Sequence, residues 1–107
     1  MSSRLDAAFR AVADPTRRKI LALLAEEQYH CKKETYQVAG ICVQDLVTYL
    51  SMPQSTVSRH LGVLHQAGLV SVHKNGLWRY YVREEGRLQE LIDDLRLNKT
   101  TQEKQHV

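Results

Sequence analysis

Cysteine is scarce in this chain. Cys31 and Cys42 are its two thiols, too few for a disulfide framework and in keeping with a reducing compartment. No apolar run approaches the ~20 residues that a bilayer crossing demands. The opening MSSRLDAAFRAVADP is amphipathic and lacks the uninterrupted apolar stretch of a secretory signal, so a cytoplasmic location is expected. Signatures of catalysis are also missing: there is no glycine-rich phosphate loop, nucleophile elbow, HExxH helix or EF-hand spacing. His60 and His65 are five apart, which would put them on different faces of a helix. An enzyme is therefore not expected. A chain of 107 residues with 43% apolar and 25% charged residues suits one globular domain around one modest core.

A further absence is local. All twelve acidic residues lie outside positions 46–83: Asp6, Asp14, Glu26, Glu27, Glu34 and Asp45 precede that window, and Glu84, Glu85, Glu90, Asp93, Asp94 and Glu103 follow it. The window itself carries Arg59, Lys74, Arg79 and Arg83 with His60, His65 and His73. The net charge of +3 is only a mild basic bias. Its distribution says more, because a surface without carboxylates attracts a polyanion with no opposing repulsion.

Hydrophobic periodicity organises the rest. Leu5, Ala8, Phe9 and Val12 form one stripe of a short first helix. Asp14 as cap and Pro15 as first helical residue start a second, buried through Ile20, Leu21, Leu23 and Leu24. Its Arg17, Arg18 and Lys19 are expected to face solvent. The polar stretch EEQYHCKKETYQVAG up to Gly40 has no period and reads as a loop or frayed helix end. A third helix follows with Val43, Leu46, Val47 and Leu50 inward, then a break at Ser51, Met52 and Pro53. A fourth helix runs from Gln54 to about Ala67 on Val57, Leu61 and Leu64, with Gly68 placed to cap it. LVSVHK and LWRYYVR read as two strands turning at Asn75 and Gly76. Leu88, Leu91, Ile92 and Leu95 line a final helix, and NKTTQEKQHV reads as a disordered tail. The expected fold is mainly α with a β-hairpin wing, in the order α-α-α-α-β-β-α. One domain should span residues 1–97, with a tail at 98–107.

Two helices joined by a three-residue break, the second polar along its leading outer face, constitute a helix-turn-helix. Packing of Val57, Leu61 and Leu64 leaves Gln54, Ser55, Thr56, Ser58, Arg59 and His60 to meet a DNA groove with short hydroxyls, an amide and a guanidinium. Lys74 and Arg79 on the hairpin would reach phosphate. Trp78, Tyr80 and Tyr81 fit either a base-stacking platform or ordinary hairpin packing. A protein-binding winged helix that never touches DNA is the competing class.

DPTRRKILALL, ICVQDL, LSMPQSTVSRHLGVLHQAGLV and NGLWRYY, in that order, resemble the ArsR/SmtB family of metal- and metalloid-responsive repressors over roughly residues 5–85. The resemblance implies a winged helix-turn-helix homodimer, joined through its first and last helices, that binds a palindromic double-stranded operator and is released by an inducer. Members of that family often carry Cys-Val-Cys-Asp-Leu at the start of the third helix, where thiolates capture arsenite or a soft metal. Here the run is Cys42, Val43, Gln44, Asp45, Leu46, so one cysteine is missing. The inducer implied is As(III), Sb(III) or a soft metal ion held by Cys42 and Cys31, with no constitutive cofactor. Cys42 and Asp45 also match half of another pattern of that family, a zinc or cadmium site completed by donors from the partner's N-terminus; residues 1–29 contain neither Cys nor His, which leaves His30 to serve. Another family site on the last helix would need a histidine that is absent beside Asp93 and Asp94. The alternative is a thiol switch in which oxidant or reactive sulfur links Cys31 to Cys42.

Overall fold

A computed structural model describes residues 3–26, 29–30, 40–76 and 78–105, with side chains between Leu5 and Arg96 except at Asn75 and Trp78. Cys31 and most of the aperiodic segment before Gly40 lie outside the described residues. The elements are α1 (Ser3–Val12), α2 (Pro15–Leu24), β1 (Ile41–Cys42), α3 (Val43–Leu50), α4 (Gln54–Gln66), β2 (Val70–Asn75), β3 (Trp78–Arg83) and α5 (Glu85–Gln105).

Local chemistry sets the helix boundaries. The Asp14 carboxylate accepts the backbone N–H groups of Thr16 at 2.8 Å and Arg17 at 3.2 Å, satisfying two orphan donors of α2, while Pro15 needs none. α3 ends because Ser51 adopts a left-handed conformation (φ 54°, ψ 45°), one residue type rarely chosen for it. The interruption thus begins at Ser51, ahead of Pro53. At the end of α4, Gly68 (φ 76°) lets the N–H of Leu69 reach Leu64 O at 2.9 Å and that of Gly68 reach His65 O at 3.0 Å, a Schellman closure.

The three strands form one antiparallel sheet in the order β1-β3-β2. β1 was not foreseen in the sequence, because two residues have no measurable period. Ile41 pairs with Tyr81 and Cys42 with Tyr80. In the hairpin Val70 pairs with Arg83, Val72 with Tyr81, Lys74 with Arg79 and Asn75 with Trp78. Asn75 is therefore the last paired residue of β2 and not a turn residue, and Gly76 (φ 62°) follows it. This moves the expected turn by one position.

Ala8 and Ala11 from α1, Ile20, Leu21 and Leu24 from α2, Leu46 and Leu50 from α3, Val57, Leu61 and Leu64 from α4, with Ile41, Leu69, Val70 and Leu91, make one contiguous core. α5 runs past Leu97 to Gln105, where a disordered tail was expected. Gln, Lys and Glu continue a helix at little cost once it is nucleated. Among the described residues no helix is long and apolar enough to cross a membrane.

Candidate nucleic-acid interface

The apolar side of α4 is fully spent on the core, and α3 packs beside it. What remains outward at its beginning is Gln54, Ser55, Ser58 and Arg59, all exposed, with Thr56 half-buried. No acidic residue occupies the first turn. The helix N-terminus therefore adds its partial positive charge to that of Arg59, and its hydroxyl and amide groups stand where a polyanion can accept from them.

His60 departs from this pattern. It is only 8% exposed, and its Nδ1 lies 3.1 Å from Nη1 of Arg17. The expectation that it faces a groove is corrected: at i+3 from Val57 it shares the inward side of α4. Arg17 is likewise not on a solvated face. Its Nε donates to Ala11 O at 2.6 Å and its Nη2 to Arg10 O at 3.4 Å, so it bridges three helices. Arg18 stays exposed but bonds back to Val12 O at 2.6 Å. Sequence reasoning missed the bridge because its members are far apart in the chain.

In the hairpin, Lys74 and Arg79 are exposed and directly opposite one another. Alternation puts them on the same face as Val70 and Ile41, the one packed on the helical core, but beyond that core's edge. Like charges across a strand pair are unfavourable by a few tenths of a kcal/mol to about 1 kcal/mol unless an anion lies between them. Arg83, the other strand cation, is committed elsewhere: Nη1 donates to Leu21 O at 3.0 Å and Nε pairs with Glu85 at 2.9 Å. Tyr81 packs against the core, and Tyr80 stacks on His73 with ring centroids 5.6 Å apart, the His73 Nε2 lying 2.9 Å from Ser71 Oγ. Both tyrosines thus serve hairpin packing.

Cys42 ends β1 and occupies the N-cap position of α3 without a side-chain capping bond; it is 4% exposed. Asp45 is half-buried in the first turn of the same helix. His30 Nε2 donates to Leu24 O at 2.9 Å, which ties it to the end of α2. Among the described residues, no group of three or more His, Cys, Asp or Glu side chains could hold a metal ion.

Residues 39–72 match the model of the bacterial regulatory protein, arsR family. The HTH-type transcriptional regulator MJ1325 of Methanocaldococcus jannaschii is 38% identical over 84 residues, covering 78% of this chain and 82% of its own. The arsenical resistance operon repressor of Escherichia coli is 37% identical over 73 residues, covering 68% of this chain and 53% of its own. A homodimeric winged helix-turn-helix DNA-binding domain from Mycobacterium bovis shares the fold, with a TM-score of 0.65 at 22% identity over 91% of this chain and 80% of that one. With its helix-turn-helix and its basic hairpin wing, this chain belongs to the ArsR family of transcriptional regulators, DNA-binding proteins and not enzymes.

Proposed function

We propose that the chain is a dimeric repressor that reads a palindromic double-stranded operator through Gln54, Ser55, Thr56, Ser58 and Arg59 and grips phosphate with Lys74 and Arg79. The observation that carries this reading is the pairing of an acid-free, hydroxyl-rich start of α4 with two opposed, exposed cations on the hairpin. The dimer is attributed to α1 and α5; on α5 the outer positions Ile92 and Leu95 are 44% and 64% exposed. Affinity for a duplex selected from a random-sequence pool tests it. Binding should fall steeply between about 50 and about 200 mM salt. A chain with no salt-sensitive affinity for any duplex belongs instead to the protein-binding winged helices.

Release is attributed to a trivalent metalloid or soft metal captured by thiolates of Cys42 and Cys31. Two facts support this. A relative is named an arsenical resistance operon repressor, and Cys42 joins the wing sheet to the helix that supports α4. Among the described residues no cluster supplies enough donors, and Cys31 is the second thiol of the chain. Ligand acts only through a difference in affinity between the free and DNA-bound forms. Operator release should be measured with arsenite, antimonite, cadmium, zinc, peroxide and polysulfide in parallel, on the native chain and on Cys42→Ser and Cys31→Ser. Loss of arsenite response in both variants is expected. Full arsenite-induced release by Cys42→Ser overturns the reading, and release by peroxide or polysulfide alone assigns the two thiols to a redox switch.

A further inference from the structure

Arg17 is anchored at both ends. Its backbone N–H is held by the Asp14 cap, and its guanidinium reaches two carbonyls in the last turn of α1, Ala11 O and Arg10 O, the latter also accepting the N–H of Ala13. The remaining arm meets His60 on α4. Guanidinium nitrogens only donate, so this contact is a hydrogen bond when Nδ1 of His60 accepts and the ring proton sits on Nε2. His60 lies between Arg59 and Leu61, on the far side of the helix from the reading face. Beside this bridge the contact between α1 and α4 is incomplete. A cleft of about 280 Å³ opens there between Ala7 and Ala11 of α1 and Val63 and Ala67 at the end of α4.

We infer that the Arg17–His60 pair is a positioning clamp that fixes the rotation and tilt of α4 relative to α1, and so sets sequence discrimination more than general affinity for duplex DNA. An open cleft, lined by Arg10, Arg17 and Gln66 as well as by alanines and Val63, leaves the packing of α1 on α4 loosely specified, whereas a directional bond between a fixed guanidinium and a ring nitrogen defines one arrangement. Buried polar groups are best attested in this role of choosing among packings, and less as net stabilisers. The inference rests on the DNA-reading function proposed above. It adds that specificity is controlled from a residue that touches no base.

The test uses the full chain and two duplexes, one selected by the native chain from a random-sequence pool and a scrambled duplex of equal length. Native protein should prefer the selected duplex. His60→Leu, which fills the space without an acceptor, and Arg17→Met should each cut that preference about tenfold, while binding to the scrambled duplex stays near native. The double variant should lose no more than either single one, as expected for two halves of one contact. His60→Asn, whose amide oxygen falls near the place of Nδ1, should restore most of the preference. In the native chain, 15N NMR should find the His60 ring protonated at Nε2, a measurement that needs no variant. A folded His60→Leu chain that discriminates as well as native, independent losses in the double variant, or a ring protonated at Nδ1 overturns the clamp. A native chain that selects no duplex overturns the DNA reading beneath it instead.

Discussion

Asp14 illustrates how one side chain can carry both a boundary and a pH dependence. Partial burial pushes its carboxyl up, but the N–H groups of Arg17 and Thr16 and the charge of Arg17 outweigh this and hold it below its ordinary 3.8. A carboxyl depressed in the folded state stabilises above its unfolded value, and that stability disappears as pH falls through its folded value. The difference in Tm between native protein and Asp14→Asn should therefore be largest at neutral pH and vanish in strong acid. Asp14→Ala, which has no acceptor, should melt lower than native at every pH, as a thermal scan series can establish. Ser51→Gly offers the opposite sign. Removing a Cβ from a left-handed residue should stabilise by up to about 1 kcal/mol in urea unfolding. At Gly40 an added Cβ would collide with the carbonyl oxygen of Tyr81 and crowd Tyr80 and Val82. Gly40→Ala should destabilise by about 1–3 kcal/mol in the same assay. The cap was legible in the sequence because its partners are two and three residues away. The Arg17–His60 bond spans 43 positions, and nothing in local pattern distinguishes an arginine that turns inward from one that faces water.

Elements were legible in proportion to their period. The stripe of Val57, Leu61 and Leu64 announces α4, and every one of those residues is in the core. β1 is too short for alternation, although it is what attaches Cys42 and the start of α3 to the wing. The hairpin was recognised from its Asn-Gly pair, yet which residues turn depends on cross-strand register, a tertiary outcome. That register also decides the wing's chemistry, since it sets Lys74 opposite Arg79. Lys74→Ala and Arg79→Ala should each weaken binding to selected and scrambled duplexes alike, and lower the slope of log affinity against log salt by about 1. Neither should reduce Tm, because each removes a repulsion across the strand pair. Titrations at several salt concentrations, paired with thermal melts, check both statements.

At the scale of the whole molecule the chain is elongated, 58 × 28 × 20 Å, because α5 rises about 31 Å if regular and only part of it finds a partner within the chain. Leu91 is buried against the core and Leu88 packs at its edge, whereas Ile92 and Leu95 on the adjacent flank remain open to solvent. An apolar flank on a helix that already spends its other side on the core is expected to be covered by a second copy, and a two-fold interface brings the same patch from each subunit. Leu5, Phe9 and Val12 of α1 lie partly exposed at the core's margin and can extend such a patch. Native protein should therefore sediment as a dimer. Ile92→Glu combined with Leu95→Glu should sediment as a monomer with unchanged helical circular dichroism, since neither residue belongs to the buried core. Operator affinity should fall with it by a factor of a hundred or more, because two half-sites no longer bind as one linked ligand and the second contact loses its effective concentration, commonly about millimolar. A doubly substituted chain that stays dimeric in analytical ultracentrifugation would move the interface to another face, and a dimer lost without loss of operator affinity would mean that one subunit reads its half-site alone.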